Sequence, residues 1–203
     1  DNTSNNAGYD KTIRPSAVTL NGDFLSPSSL SSIDNGRGHV SALRASGVTH
    51  VCLGNHEADL PLNVLKERLG ELAQRGRIVV LNSNVRGLGR HSREMDVVTS
   101  NCGQVKLGLL GFMSDEGSMF RDGTFRGMQI DDVKVKYQIM SEKVDMMKSV
   151  NALVPLTHQS LDADVDFAKW MAKIQSTIRG EQSSMGGVIL GGHEHVKIHK
   201  DVS

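Results

Sequence analysis

The sequence predicts a layered α/β fold with a partly parallel sheet. Three observations lead to this prediction. Short β-rich runs alternate with helical patterns along the chain, several of these runs end in Gly followed by a polar side chain, and 38% of the 203 residues are hydrophobic. A chain of this length and apolar content can bury one good-sized core, so we expect one domain.

The first part of the chain is expected to supply three strands and two helices. Strands are predicted over 17–20, 48–53 and 77–81, where apolar and β-branched residues predominate. The Ser-rich stretch 26–32 indicates a loop, and 40–46 is expected to form a short helix that closes at Gly47. The clearest helix begins at Pro61 and should stop near Gly76, since Pro suits a first turn and Gly suits a stop. Its apolar face is formed by Leu62, Leu65, Leu69 and Leu72.

The second part of the chain continues the alternation. Runs at 97–99 and 105–112 flank the turn-forming Asn101-Cys102-Gly103 and predict a β-hairpin, and 117–127 is expected to be an irregular loop. Helices are predicted over 132–149 and 164–178, because apolar side chains recur on one helical face in each. Asp162 or Asp164 is expected to cap the later helix. Further strands are predicted at 152–156, at 187–190 and at 196–200.

Composition argues against two classes of function. Lys and Arg number 23, as do Asp and Glu, and no basic run stands out, so a nucleic-acid-binding face is not expected. No apolar stretch is long enough to span a bilayer. The two cysteines, Cys52 in a predicted strand and Cys102 in a predicted turn, do not make a disulfide framework.

Side chains that bind divalent metals or move protons lie in four short blocks, each after an apolar run. An apolar strand followed by Gly and a polar ligand, repeated along a chain, brings several ligands to one crevice at the strand ends of an α/β sheet. The pattern therefore predicts a two-metal hydrolytic site. Its candidate residues are Asp23, Asn55, His56, Asp59, His158, His193 and His195.

The block Gly54-Asn55-His56-Glu57-Ala58-Asp59 is one of two specific signals. Gly54 allows a sharp turn at the strand end, and Asn55 offers a neutral oxygen ligand. His56 can donate or accept a proton, and Asp59 is close enough in sequence to orient its imidazole and hold its charge. The alternative interpretation is a polar loop that caps the following helix.

The block Gly191-Gly192-His193-Glu194-His195 is the second specific signal. In an extended chain His193 and His195 fall on the same side, so both can face one metal cluster. The helical zinc motif His-Glu-x-x-His is absent, and the β-rich residues that follow argue against a helix here. The alternative interpretation is a β-turn in which the histidines are incidental.

The other two blocks are weaker when taken singly. Asp23 could be an ordinary turn residue after a strand, and His158 could be a satisfied structural histidine. Their positions at strand ends, together with the two specific blocks, favour the metal site. The histidines at positions 39, 50, 91 and 199 lack such context, and we expect them at the surface or in satisfied polar positions.

Taken together, the blocks resemble the motifs of the calcineurin-like metallophosphoesterase superfamily. The blocks Gly22-Asp23, Gly54-Asn55-His56-Glu57, Thr157-His158 and Gly192-His193-Glu194-His195 occur in the family's order. The stretch over 54–62 is similar to the 5′-nucleotidase branch, and the resemblance extends from about residue 18 to the end. It implies a four-layer α/β/β/α sandwich, incomplete at both ends, with the site at the strand C-termini.

The resemblance also implies a role for each site residue. The implied ligands of two divalent metal ions (Zn, Mn or Fe) are a bridging Asp23, with Asn55, His158 and His193 on the second metal and His195 on the first. His56, paired with Asp59, would act on the phosphate or on the leaving group. The implied activity is hydrolysis of phosphate esters, with small phosphomonoesters such as nucleotides as the expected substrates.

The chain departs from the family pattern in two ways. The family's first motif, Asp-x-His, occurs nowhere in the 203 residues, and the C-terminal domain that holds the nucleoside in 5′-nucleotidases has no counterpart here. We therefore expect residues 1–203 to be a partial metallophosphoesterase domain and an internal piece of a longer protein. A phosphodiester or phosphoprotein substrate would use the same core. The alternative function is a non-catalytic metallophosphoesterase-fold subunit that acts as a scaffold in a larger assembly.

Overall fold

The structure is a computed structural model that describes residues 16–124, 128–147, 150–179 and 187–202. Strands and helices alternate along much of the chain. The strands are β1 (Thr19–Asn21), β2 (His50–Cys52), β3 (Val79–Leu81), β4 (Val85–Arg86), β5 (Met95–Thr99), β6 (Lys106–Met113), β7 (Gln129–Ile130), β8 (Ala152–His158) and β9 (Leu190–Gly191). The α-helices are α1 (Ser31–Asp34), α2 (Arg37–Ser46), α3 (Leu62–Ala73), α4 (Val133–Met147) and α5 (Leu161–Arg179). Short 3₁₀ turns lie at Asn55–Asp59, Gln74–Gly76 and Gly117–Met119.

The strands form two larger sheets and one small ladder. The first sheet has the order β1-β2-β3, and all of its strands are parallel. The second has the order β5-β6-β8-β9, in which β5 and β6 make an antiparallel hairpin and β6, β8 and β9 run parallel. Strands β4 and β7 pair antiparallel over two residues each. The predicted α/β class, the partly parallel sheet and the hairpin are therefore confirmed.

The predicted helices are present, with shifted ends. Helices α2 and α5 each begin three residues before the predicted starts at 40 and 164. Asp162 and Asp164 lie inside the first turn of α5, where acidic side chains complement the helix dipole, rather than capping it. Ser160 precedes that helix, and its hydroxyl accepts a bond from the Ala163 N–H at 3.4 Å. The predicted last residues of α4, 148 and 149, lie outside the described residues.

Several sequence-based boundaries were wrong. The predicted loop 26–32 runs into α1, and the predicted loop 117–127 contains a 3₁₀ turn, its residues 125–127 lying outside the described residues. The strand expected over 187–190 is confined to Leu190–Gly191. No strand forms over 196–200, although these residues are described. A β-rich run becomes a strand only where a neighbour pairs with it, and no described segment pairs with this one.

Apolar side chains pack on both faces of the two sheets. Alternate residues of β2 and β3 face opposite sides, so Val51 and Val80 pack with the leucines of α3. The intervening Cys52 and Leu81 pack with Leu109 and Leu156 of the second sheet. The remaining cluster covers the other face of the second sheet, and it contains Leu110, Phe112, Val133, Tyr137, Met140, Leu153, Phe167 and Met171.

Two further predictions can be compared with the structure. Cys52 is buried and Cys102 is exposed, and both are free thiols, as expected. None of the helices within the described ranges is both long and apolar enough to cross a membrane. The parallel strands β1, β2, β8 and β9 end in the polar blocks that the sequence singles out, so these blocks lie at one edge of the molecule.

Candidate active site

Three of the predicted metal ligands lie together at the carboxyl ends of the strands. Asp23 follows β1, His158 ends β8 and His193 follows β9. One ligand atom of each residue lies within 4.8 Å of the other two. A carboxylate oxygen with two imidazole nitrogens is a donor set that suits Zn, Mn or Fe. The residues present therefore fit a divalent metal ion.

Asn55 adds a neutral oxygen to this group of donors. Its Oδ1 lies 3.2 Å from Nε2 of His158, which is also 3.1 Å from Oδ2 of Asp23. The Asn55 Nδ2 donates to the Met119 carbonyl at 2.9 Å, and this bond turns the amide oxygen towards the histidine. The amide oxygen and the carboxylate therefore converge on the same imidazole nitrogen.

Strained backbone carries two of these side chains. Asp23 has φ 54° and His193 has φ 78°, in the left-handed region that non-glycine residues seldom adopt. Asn35 is the other non-glycine residue with a positive φ among those the structure describes. Such conformations persist where the surrounding structure fixes them, and they concentrate at functional sites. Two of the three clustered residues share this conformation.

His158 is oriented by the backbone behind it. Its Nδ1 donates to the Asn21 carbonyl at 2.7 Å, which leaves Nε2 to face Asp23 and Asn55. Burial disfavours the charged imidazole, but hydrogen bonds to the Asp23 carboxylate and the Asn21 carbonyl outweigh burial and raise the pKa of His158. Burial also works to raise the pKa of Asp23, but the contact with His158 outweighs it and lowers that pKa. The imidazole nitrogen that faces Asp23 and Asn55 is the one left for a metal.

His56 and Asp59 form a hydrogen-bonded pair at the rim of the site. Nδ1 of His56 donates to Oδ2 of Asp59 at 2.8 Å, within the 3₁₀ turn. The His56 side chain is 32% exposed, whereas that of Asp59 is 10% exposed, so the imidazole is the more accessible member of the pair. The backbone N–H of His56 donates to Oδ1 of Asp23 at 3.0 Å and ties the pair to the cluster of Asp23, His158 and His193. Arg121 approaches the other Asp59 oxygen, Nε to Oδ1, at 3.5 Å.

The glycine before Asn55 allows a close approach of two strand ends. A Cβ at Gly54 would lie 2.3 Å from Oδ1 and 2.6 Å from the backbone N of Asp23. No side chain fits in that space, because real Cβ contacts do not occur at such distances. Gly54 therefore lets β2 approach Asp23 closely enough for Asn55 and His56 to flank it.

Glu57 is a site residue that the sequence reasoning missed. It is fully buried, and its carboxylate accepts backbone N–H bonds of 2.7–2.9 Å from Asp23, Phe24, Leu25 and Gly54. Burial raises the pKa of Glu57 to about 7, against the opposing effect of these N–H donors. The carboxylate fixes the turns that carry Asp23 and Asn55. From the sequence, Glu57 would be expected only to cap the turn that begins at Gly54. Most of its hydrogen bonds instead come from the segment that follows β1.

His195 is the one predicted metal ligand that lies apart from the group. It is exposed, and it does not join the cluster of Asp23, His158 and His193 among the described residues. The specific roles drawn from the resemblance, including that of His195, remain predictions.

Comparison with known proteins identifies the fold. No protein-family model and no curated protein matches the chain. Among solved structures, the NAD nucleotidase of Haemophilus influenzae matches with a TM-score of 0.65 and 21% identity, over 75% of this chain and 26% of that one. A 5′-nucleotidase precursor from Thermus thermophilus matches with a TM-score of 0.65 and 21% identity, over 85% and 31% of the two chains. The calcineurin-like phosphoesterase YfkN from Bacillus subtilis matches with a TM-score of 0.59 and 18% identity, over 89% and 58%.

These matches show that the chain has the fold of the 5′-nucleotidase-like metallophosphoesterases, the branch that its motifs predict. The chain spans about a quarter to a third of the length of the two nucleotidases, 26% and 31%. The similarity therefore describes a core of those proteins rather than their whole length.

Proposed function

We propose that this chain is the metal-binding part of a phosphoesterase that hydrolyses phosphate esters. The observation that carries the proposal is the meeting of Asp23, His158 and His193 at the strand ends, with ligand atoms within 4.8 Å and two of the three residues on strained backbone. The nucleotidases and phosphoesterases with this fold support the reaction class.

The proposed site holds two divalent metal ions, Zn, Mn or Fe. In this proposal Asp23 would serve both ions, Asn55, His158 and His193 would bind the second metal, and His195 would bind the first. Two such ions supply charge neutralisation for the phosphate and a more acidic water. Support comes from the geometry of the ligands proposed for the second metal, since Nε2 of His158 faces both Oδ1 of Asn55 and Oδ2 of Asp23.

His56 and Asp59 are the proposed proton-handling pair. Because Nδ1 of this partly exposed side chain donates to Asp59, Nε2 of His56 is the nitrogen left to meet the substrate. In the doubly protonated imidazole, Nε2 can donate its proton to the leaving oxygen, while the Asp59 carboxylate stabilises the positive charge. The Asp23 carboxylate accepts the backbone N–H of His56, and this bond keeps the His56–Asp59 pair next to Asp23.

The proposed architecture is the four-layer α/β/β/α sandwich. The apolar clusters support it, because one lies between the first sheet and helices α2 and α3, and one lies between the two sheets. The third lies between the second sheet and helices α4 and α5. In this proposal, helix, sheet, sheet and helix follow one another in that order.

The proposed substrates are small phosphomonoesters such as nucleotides. Support comes from the matched structures, which include an NAD nucleotidase and 5′-nucleotidases.

A non-catalytic scaffold subunit is the second candidate. The observation that favours it is the lack of Asp-x-His anywhere in the 203 residues, because without it Asp23 and His195 alone remain for the first metal. The retained geometry of His56, Asp59, Asn55 and His158 favours the enzyme.

The test is metal stoichiometry by elemental analysis on the natural full-length protein, followed by a screen of phosphomonoesters and phosphodiesters. We expect two transition metals per chain and metal-dependent release of phosphate. The matched control is the Asp23→Asn variant, in which the proposed bridging carboxylate is neutralised and both readouts should fall. Absence of bound metal after incubation with Mn²⁺ or Zn²⁺ would contradict the proposal and favour the scaffold.

A further inference from the structure

Asn21, the last residue of β1, joins the two large sheets beside the metal ligands. Its backbone carbonyl accepts the Nδ1–H of His158 on β8 at 2.7 Å. Its side-chain Nδ2 donates to the Leu190 carbonyl on β9 at 2.6 Å. One residue of the first sheet therefore holds both strands that supply histidines from the second sheet.

The segment that follows β9 packs closely against Asn21. A Cβ at Gly192 would lie 2.1 Å from the Asn21 carbonyl oxygen, so only glycine fits there. The Gly192 N–H donates to the Thr157 carbonyl at 2.8 Å, next to His158. The position of His193, one residue later, thus depends on how closely Gly192 packs against Asn21.

The side-chain amide of Asn21 is only partly hydrogen-bonded. Its Oδ1 is buried, and no donor reaches it among the residues that the structure describes. A buried amide oxygen without a donor is unfavourable, and this offsets much of what the bond to Leu190 contributes to stability. The Asn21 side chain should therefore matter less to the fold than to the local position of β9.

We propose that Asn21 is a positioning residue of the metal centre. Its side-chain amide holds the turn that presents His193, while its backbone carbonyl orients His158. Ligands from the two sheets are thereby kept at one spacing before any metal binds. We call the two hydrogen bonds of Asn21, to His158 and to the Leu190 carbonyl, the clamp. The effect of the clamp on metal affinity rests on the proposed function, but the clamp itself does not.

The first experiment tests the clamp in the metal-free protein. Amide hydrogen exchange at Gly192 is measured by NMR in Asn21→Ala and Asn21→Ser, neither of which can reach the Leu190 carbonyl. We expect exchange to accelerate about tenfold, because one hydrogen bond that restrains the turn is lost. The matched control is Asn151→Ala, which removes a side chain–backbone bond of 2.7 Å to Lys106 at the opposite end of β8. That control should leave Gly192 unchanged.

The second experiment measures the dissociation constant for Mn²⁺ by calorimetric titration of the same variants. We expect both Asn21 variants to bind about 10–100-fold more weakly, the usual effect of removing a group that orients metal ligands. Their melting temperatures should stay close to that of the wild-type protein, which separates positioning from general destabilisation.

The outcomes distinguish the two proposals. Unchanged exchange at Gly192 in both Asn21 variants, or an equal effect in Asn151→Ala, would overturn the clamp. Faster exchange with an unchanged Mn²⁺ constant would overturn its role at the metal centre. A wild-type protein that binds no Mn²⁺ would contradict the proposed function, and the exchange measurement would still decide the clamp.

Discussion

Consecutive residues of the Asn55–Asp59 turn face different surroundings. Asn55 is 6% exposed and directs its oxygen at His158, whereas the His56 side chain is 32% exposed and bonds to Asp59. The tight 3₁₀ turn separates the two side chains, so the proposed metal ligand and the proposed proton donor can be neighbours in sequence without competing for the same space. Removal of the imidazole should therefore leave the metal donors in place.

Replacing His56 by Ala should reduce turnover without changing metal content. The expected loss in kcat is about 10²–10⁴-fold, the usual contribution of one positioned acid or base. Steady-state phosphate release and elemental analysis of the same preparation measure the two quantities. His91→Ala is the control, since that ring packs beside Gly70 on α3 and should not affect either. Unchanged turnover in His56→Ala would contradict the assigned role.

At the scale of elements, sequence patterns predicted long periodic segments better than short ones. Helix α3 was predictable because its leucines repeat at helical spacing, and the hairpin of β5 and β6 because two apolar runs flank a turn. The ladder of β4 and β7 was not predicted. Two residues per strand carry no periodicity, and the partners lie 45 residues apart in the pair Val85–Ile130.

A buried asparagine explains how that short ladder is held. Asn84, just before β4, is 1% exposed, and its Nδ2 donates to the Met113 carbonyl at 2.8 Å and the Asp131 carbonyl at 3.1 Å. Its Oδ1 accepts the Met113 N–H at 3.1 Å. One side chain thus joins the ends of β6 and β7 to the segment after β3. Such a role depends on distant backbone groups, which local sequence does not reveal.

Asn84→Ala should destabilise the fold by roughly 2–4 kcal/mol, because it leaves several buried backbone groups without their partner. The free energy of unfolding is measured by urea denaturation with an unchanged m-value as the sign of an intact fold. Asn63→Ala, on the exposed face of α3, is the matched control and should change stability by less than about 0.5 kcal/mol. Equal stability of the two variants would contradict this account of the ladder.

At the scale of the molecule, the candidate site lies across the two sheets. Asp23 and Asn55 come from the first sheet, and His158 and His193 from the second. The sequence indicated that these four residues would meet, because each follows an apolar run and three of the four follow a glycine, but it also placed His195 with them, and that residue lies apart. It could not indicate the supporting contacts of Glu57, since these follow from the way separate turns pack.

The sheets are also connected away from this edge. His50, the first residue of β2, is buried, and its Nε2 lies 3.1 Å from Oδ2 of Asp96 on β5. An apolar cluster joins the two sheets between this contact and the candidate site. It contains Cys52, Leu81, Leu109 and Leu156. These contacts join the sheets independently of the proposed metal ligands, and the ligand edge is the part that a bound cation would stabilise further.

Metal binding should accordingly stabilise the whole fold rather than one loop. A cation that binds the folded chain and not the unfolded one adds about 2.7 kcal/mol when its free concentration is 100 times the dissociation constant. Differential scanning calorimetry with Mn²⁺, against the same protein in EDTA, measures the rise in melting temperature. His193→Ala should abolish most of the rise, because it removes a ligand contributed by the second sheet, whereas the exposed His199→Ala should retain it. A rise that persists in His193→Ala would mean that Mn²⁺ stabilises the protein from another site, and that the two sheets are not linked through this one.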